Sequence, residues 1–274
     1  MQANAQHEQG WFDCGVNLID ERLEPASVLV QSRTANVKYL CVIATDLQHA
    51  QHAVNLCEQY PESLVCTAGV HPHYADGFTA QSAEQIRQLV ASPHVVAIGE
   101  CGLDFNRNFS SPDNQRQAFE VQLELACELQ KPVLLHERDA FDEQYRMLSG
   151  VISSLPGGVA HCFTGDTGQM TAYLELGLYI GITGWLCDEK RGLALREAVH
   201  KLPLERLILE TDAPYLWPKT LRPRKRNNHP ANIPHIAEQL SALTGHSVMD
   251  IQQHSWRNSL TLLGKPGWGI NETA

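Results

Sequence analysis

The sequence predicts an α/β protein, a closed (β/α)8 TIM barrel, on three observations. About eight short apolar runs rich in Val, Ile, Leu and Ala alternate with segments of helical periodicity, the pattern of a parallel sheet wrapped by helices. No GxGxxG follows the first run and there is no P-loop, which disfavours an open, doubly wound sheet. A chain of 274 residues with 43% hydrophobic content is also the size at which such a barrel fills one domain. The expected organisation is therefore a single domain over 1–274, with its core at about 11–264.

The eight expected strands occupy residues 12–19, 39–45, 64–70, 95–103, 132–136, 158–163, 179–183 and 207–212. Each is long enough for a buried strand and too short for a core helix. Between the fourth and fifth runs, Phe119, Leu123, Leu125, Ala126 and Leu129 repeat at helical spacing after Ser110-Ser111-Pro112-Asp113, where proline suits a helix's first turn. Ile251, Trp256, Leu260, Leu262 and Leu263 mark a closing helix over about 246–264, and the last ten residues read as a loose end.

Composition narrows the class further. The first residues have neither a basic nor an apolar segment, and no apolar run approaches the ~18 residues of a membrane span, so a cytoplasmic location is expected. The eight cysteines are scattered without a C-x-x-C pair and read as reduced core residues. Cys101 and Cys162 follow Glu100 and His161, and strand alternation would turn both thiols into the helical layer.

Four polar residues at or near the ends of apolar runs carry the functional reading. Glu100 follows VVAIG, His136 follows KPVLL, His161 follows GGVA and Asp212 ends LILETD. In a parallel barrel the C-terminal strand ends share one face, so residues far apart in sequence converge there. A carboxylate with two imidazoles and a second carboxylate is a divalent-metal ligand set, with Asp212 able to take a proton from an attacking water. Asp212 could instead cap the following segment. His71 and His73, after the third run, are candidates for phosphate contact or leaving-group protonation.

The words GVNL, TAGVHPH, AIGECGLDFNRNFS, LLHERDA, HCFTG, YIGITGW, LILETDAPYL and NSLTLLG together resemble the TatD family of metal-dependent deoxyribonucleases, from about Trp11 to Gly264. The resemblance implies an amidohydrolase-like TIM barrel that hydrolyses phosphodiester bonds. It further implies a magnesium-dependent 3′–5′ exonuclease on single-stranded DNA or RNA, monomeric and linked to DNA repair. Carried over by motif, Glu100, His136 and His161 are metal ligands and Asp212 a ligand and proton acceptor. Magnesium is the expected ion, with manganese and zinc as alternatives.

Most of the family opens with D-x-H-x-H-L, but here Gly15 and Asn17 stand where the histidines would be. Glycine cannot ligate, and an asparagine carbonyl suits magnesium better than zinc. One branch of the family shares this GVN wording, which favours a branch feature over decay of the site and leaves open one persistent ion or two.

The substrate signals conflict. A formal net charge of −10 opposes tight non-specific nucleic-acid binding, whereas the stretch from Lys219 to Asn227 holds five cations, including Arg222, Arg224 and Arg226, beside Tyr215 and Trp217. Arg107, with the aromatics Phe105 and Trp185, belongs to other loops on the same face. The bland alternative is a solvated basic loop. Two further readings stay open: a small-molecule or aminoacyl-tRNA ester or amide hydrolase on the same barrel, and a non-catalytic metal-binding protein.

Overall fold

The computed structural model describes residues 9–265. Its eight parallel strands are β1 Trp11–Val16, β2 Val37–Val42, β3 Leu64–Ala68, β4 Val95–Asp104, β5 Val133–Arg138, β6 Gly158–Ala160, β7 Tyr179–Ile182 and β8 Leu207–Leu209. They pair in sequence order, so each expected run forms its strand. Among the described residues the helices are α1 Pro25–Thr34, α2 Leu47–Gln59, α3 Ala80–Val90, α4 Pro112–Leu129, α5 Phe141–Val151, α6 Thr167–Glu175, α7 Leu193–Ala198, α8 Ile233–Thr244 and α9 Val248–Leu263.

Strand alternation sorts the core into two shells. Phe12, Cys14, Cys41, Val65, Ala97, Leu134, Val159 and Ile208 fill the barrel interior. Their neighbours Leu40, Val42, Leu64, Ile98, Val133, Leu135, Leu207 and Leu209 face the helices. Trp256 and Leu263 of α9 join the interior cluster, as expected of a closing helix. The expected loose end, beyond Lys265, lies outside the described residues.

Helix starts follow local chemistry. The Ser111 hydroxyl accepts from Asn114 N with Pro112 in the first turn of α4, and Asp46 caps α2 by accepting from His49 N. Thr79 with Ser82, and Asp166 with Gln169, form capping boxes on α3 and α6.

The barrel closes just past its last strand. Asp212 N donates to Gly15 O and Asn17 N donates to Ala213 O, both at 2.8 Å, and Val16 bridges Ala213 in parallel. Closure therefore fixes the chain around Asp212 beside the end of β1, at the C-terminal mouth. No described helix is long and apolar enough to cross a membrane.

Candidate active site

Glu100 lies inside β4, not at its end. Pairing with β5 shifts register between Ile98 and Cys101, and such an irregularity re-aims a side chain. Glu100 N donates to Ala44 O at 2.8 Å, which ties the shifted segment to the chain just after β2. His136 sits in β5 opposite Gly102, and His161 follows β6 by one residue.

Asp212 stands three residues beyond β8, with φ 53°, in the left-handed region that aspartate tolerates. The expected sixth and eighth strands were thus too long by three residues each. The chain leaves extended geometry at both places, Cys162 with φ 45° and Asp212 with φ 53°. Strand alternation consequently does not govern Cys162. Its thiol does not reach the helical layer: Cys162 lines the cleft, with Sγ 3.6 Å from Thr183 Oγ1, whereas Cys101 packs in the strand–helix shell as expected.

Glu100 Oε1 is the meeting point. It lies 2.8 Å from His136 Nδ1, 3.6 Å from His71 Nε2 and 4.0 Å from His161 Nε2. His161 Nε2 lies 4.0 Å from Asp212 Oδ1, whose other contact is Asn17 Nδ2, donating at 2.8 Å. The four residues Glu100, His136, His161 and Asp212 are therefore brought together, with Asn17 oriented by its amide toward Asp212. They stand in a cleft of about 1130 Å³ at the barrel mouth.

Electrostatics in the cleft favour a cation at its centre. Burial opposes the charge on Glu100, yet His71, His136 and His161 hold its carboxyl well below the usual range. Burial likewise opposes imidazolium, but Asp104 and Glu100 push His136 up to about 9, and Glu210, Glu100 and Asp212 push His161 up to about 10. Asp212 is raised to about 6 by burial, partly offset by His161. Seven carboxylates line the cleft against three guanidinium groups and the two imidazoles held protonated, an excess of negative charge that opposes entry of a phosphodiester.

The donor set fits a divalent ion. Two ligands each ~2.1 Å from one ion stand roughly 3 Å apart, and the Glu100 Oε1 to His136 Nδ1 separation is 2.8 Å. Ligand atoms of His71, Glu100 and His136 all lie within 4.8 Å of one another. His71 is nevertheless the weaker donor of that group. Its Nδ1 accepts from His73 N at 3.1 Å, and burial pushes its pKa down to about 3, so the neutral ring carries its proton on Nε2, facing Glu100. That arrangement suits donation to an oxygen better than ligation.

Three acidic residues at the site were not singled out by the sequence. Glu210, fully buried, has Oε2 3.0 Å from His161 Nδ1 and accepts from Cys162 N at 2.8 Å. A Cβ at Gly181 would stand 2.3 Å from that oxygen, so glycine there makes room for it. Asp104 Oδ2 lies 2.8 Å from His73 Nε2 and 3.4 Å from His136 Nε2. Asp13 accepts from Gly15 N and from Thr211 N and Oγ1, tying β1 to the segment that carries Asp212.

Gly15 has its own physical reason. A Cβ there would stand 2.9 Å from His161 Cε1 and 3.1 Å from Ile43 Cδ1. In this chain a side chain at position 15 would require the His161 ring to shift.

The remaining candidates divide. His71, His73, Asn17 and Arg107 line the cleft, as do Arg138 and Trp185, with the Arg191 guanidinium 4.5 Å over the Trp185 ring. Arg222 and Arg224 do not line it, and Arg222 Nη1 donates back to Lys219 O and Leu221 O. Lys219 is bound to Asp188 at 2.6 Å, and Phe105 lies 5.3 Å beneath the Arg116 guanidinium, outside the cleft.

A TIM barrel with a buried carboxylate between imidazoles, and a further carboxylate at the edge of the last strand, defines the class of metal-dependent hydrolases of the amidohydrolase type. An uncharacterized amidohydrolase from Saccharomyces cerevisiae shares the fold, with TM-score 0.80 at 21% identity over 93% of this chain and 99% of that one. The model of the TatD related DNase family matches residues 12–264. The chain belongs to the TatD related DNase family, and it is a hydrolase of the nuclease class. It is 48% identical over 238 residues to a protein of Rahnella sp. (strain Y9602) named 3′-5′ ssDNA/RNA exonuclease TatD, covering 85% of this chain and 90% of that one. The crystal structure of YJJV, a TatD homolog from Escherichia coli K12, superposes with TM-score 0.85 at 28% identity over 93% of this chain and 98% of that one.

Proposed function

We propose that this enzyme is a magnesium-dependent 3′–5′ exonuclease on single-stranded DNA or RNA, acting as a monomer in the cytoplasm. The observation that carries the reading is the position of Glu100 Oε1, within 2.8–4.0 Å of nitrogens of His136, His71 and His161 in a cleft whose excess of negative charge opposes a polyanion. The names of its relatives supply the substrate and the polarity.

Glu100, His136 and His161 would hold the ion, and Asp212 stands beside them. When bound, a divalent ion offsets charge on the non-bridging phosphate oxygens and eases deprotonation of an attacking water. Glu210 turns His161 so that Nε2 faces the cleft, as carboxylates behind ligating imidazoles commonly do. Asn17 holds Asp212 Oδ1 through its amide and leaves Oδ2 to accept a proton from water. The neutral His71 donates from Nε2 to a phosphate oxygen, while Asp104 fixes His73 at the same wall. Arg107 and Arg138 enter the cleft from the loop after β4 and the end of β5, and meet the strand's backbone.

Digestion of single-stranded oligonucleotides in magnesium and in EDTA tests this reading. Shortening from the 3′ end that stops with EDTA supports it; intact oligonucleotides alongside hydrolysis of an ester or amide would move the enzyme to the rival substrate class.

A further inference from the structure

Among the described residues, six large hydrophobic side chains are exposed, and three are aromatic: Tyr74 at 51%, Phe109 at 65% and Tyr215 at 48%. All three stand in the segments that follow β3, β4 and β8 at the barrel mouth, Tyr74 within the short 3-10 helix Pro72–Gly77. Tyr74 and Tyr215 line the cleft, and Phe109 packs its ring at 4.7 Å, edge to face, on His73, which also lines it. Scattered exposed aromatics need no explanation, but rings gathered around one acidic cleft do.

Each ring is held in place. The loop carrying Phe109 is tied to the turn carrying Tyr74: Ser110 Oγ donates to His73 O at 2.9 Å, Asp76 N donates to Ser110 Oγ at 3.0 Å, and Ser111 N donates to Asp76 Oδ1 at 2.9 Å. Across the mouth, Tyr215 N donates to the backbone carbonyl of Asp212 at 2.9 Å, which closes the turn that carries both residues. Arg22 lies 4.5 Å over the Tyr215 ring and is fixed to Asp20 through Nε at 2.7 Å and Nη2 at 2.6 Å. With its charge answered by Asp20, Arg22 serves poorly as a phosphate anchor and well as a flat extension of the tyrosine.

We infer that Tyr74 with Phe109, and Tyr215 with Arg22, are two base-stacking platforms on either side of the scissile phosphate, and that they select unpaired nucleotides without regard to sequence. The inference rests on the nuclease reading and deepens it. Phe109 packs on His73, whose ring centroid is 6.1 Å from that of His136, and Tyr215 stands in the turn that begins at Asp212, so a strand whose phosphate reaches those residues passes its neighbouring bases over the rings. A ring offers a π-face to every base alike, and a duplex keeps its base faces stacked and out of reach.

The test compares a single-stranded oligonucleotide with one whose three 3′-terminal nucleotides are abasic, in wild type and in the F109A/Y215A double variant. Both substituted positions are exposed, and matching thermal midpoints would verify that the variant folds. In the wild type, KM should rise about 5-fold or more on the abasic end, since stacking of one base contributes on the order of 1 kcal/mol or above. In the double variant, which keeps Tyr74 and Arg22, KM should be raised on the natural strand and the difference between the two strands reduced, with kcat much less affected, and F109W/Y215W should restore the discrimination. Equal KM on both strands in the wild type, or undiminished discrimination in the double variant, would overturn the platforms while leaving the nuclease reading intact. A wild type that degrades neither strand overturns the nuclease reading and the platforms with it.

Discussion

Glu210 Oε2 lies 3.0 Å from His161 Nδ1, and a Cβ at Gly15 would stand 3.0 Å from that same nitrogen. The ring of a candidate ligand is thus gripped from two sides: a buried carboxylate sets which nitrogen faces the cleft, and a bare stretch of backbone sets where the ring can lie. Charge fixes its orientation and shape fixes its position.

Removing the charge while keeping the shape should weaken metal binding and spare the fold. Glu210→Gln is expected to lower magnesium affinity about 10-fold to 100-fold, the usual effect of losing a carboxylate behind a ligating imidazole. Isothermal titration with magnesium or manganese, beside a thermal melt, checks it. Unchanged affinity in the folded variant would remove Glu210 from the site.

Adding bulk at position 15 should harm the site even when the added group is itself a ligand. For Gly15→His, His161 must move, and overpacking of this kind costs about 1–3 kcal/mol. We expect lower thermal stability and at least a 10-fold loss of kcat/KM. Tighter metal binding with raised activity would instead mark Gly15 as a vacated ligand position.

Asp13 supplies a pH dependence of stability. Burial, opposed by hydrogen bonds from Thr211 and Gly15, pushes its carboxyl from 3.8 up to about 7. Between those values the folded protein binds more protons than the unfolded chain, so this group's contribution falls as pH rises toward 7 and levels off above it. Asp13→Asn removes the titration. Between about pH 5 and pH 8, wild-type unfolding free energy should fall on the order of 2 kcal/mol more than that of the variant, read by urea denaturation. Parallel profiles would show that Asp13 does not titrate in this window.

Two groups of arginines should separate kinetically. Arg107→Ala, in the cleft, is expected to raise KM for oligonucleotides and reduce the salt dependence of binding by about one unit of slope. Arg222→Ala with Arg224→Ala, outside the cleft, should move KM less. The reverse order would place the substrate track on the basic loop.

The fold was legible because every strand is a short apolar run bounded by helical periodicity, a pattern that survives errors of a few residues at each end. The convergence of Glu100, His136, His161 and Asp212 followed from barrel geometry and from motif wording. One missed acid was signalled by strand alternation: Asp104 stands four residues after Glu100 within β4, an even spacing that shares a face, whereas Glu210 lies past the end of β8. Where the chain leaves the ladder, alternation gives no guide, and Cys162 turned toward the cleft instead of the helices. The direction of the loop holding Arg222 and Arg224 was not legible either, because it depends on contacts such as Lys219 with Asp188 that no local pattern encodes.

The central claim is that Glu100 organises a metal-dependent phosphodiesterase site. A 5′-labelled single-stranded oligonucleotide digested by wild type and Glu100→Ala, with magnesium and with excess EDTA, tests it most directly. A magnesium-dependent ladder shortening from the 3′ end is expected in the wild type, and none in a variant that melts as a folded barrel. Wild-type-like cleavage by folded Glu100→Ala, or cleavage that persists in EDTA, would contradict it.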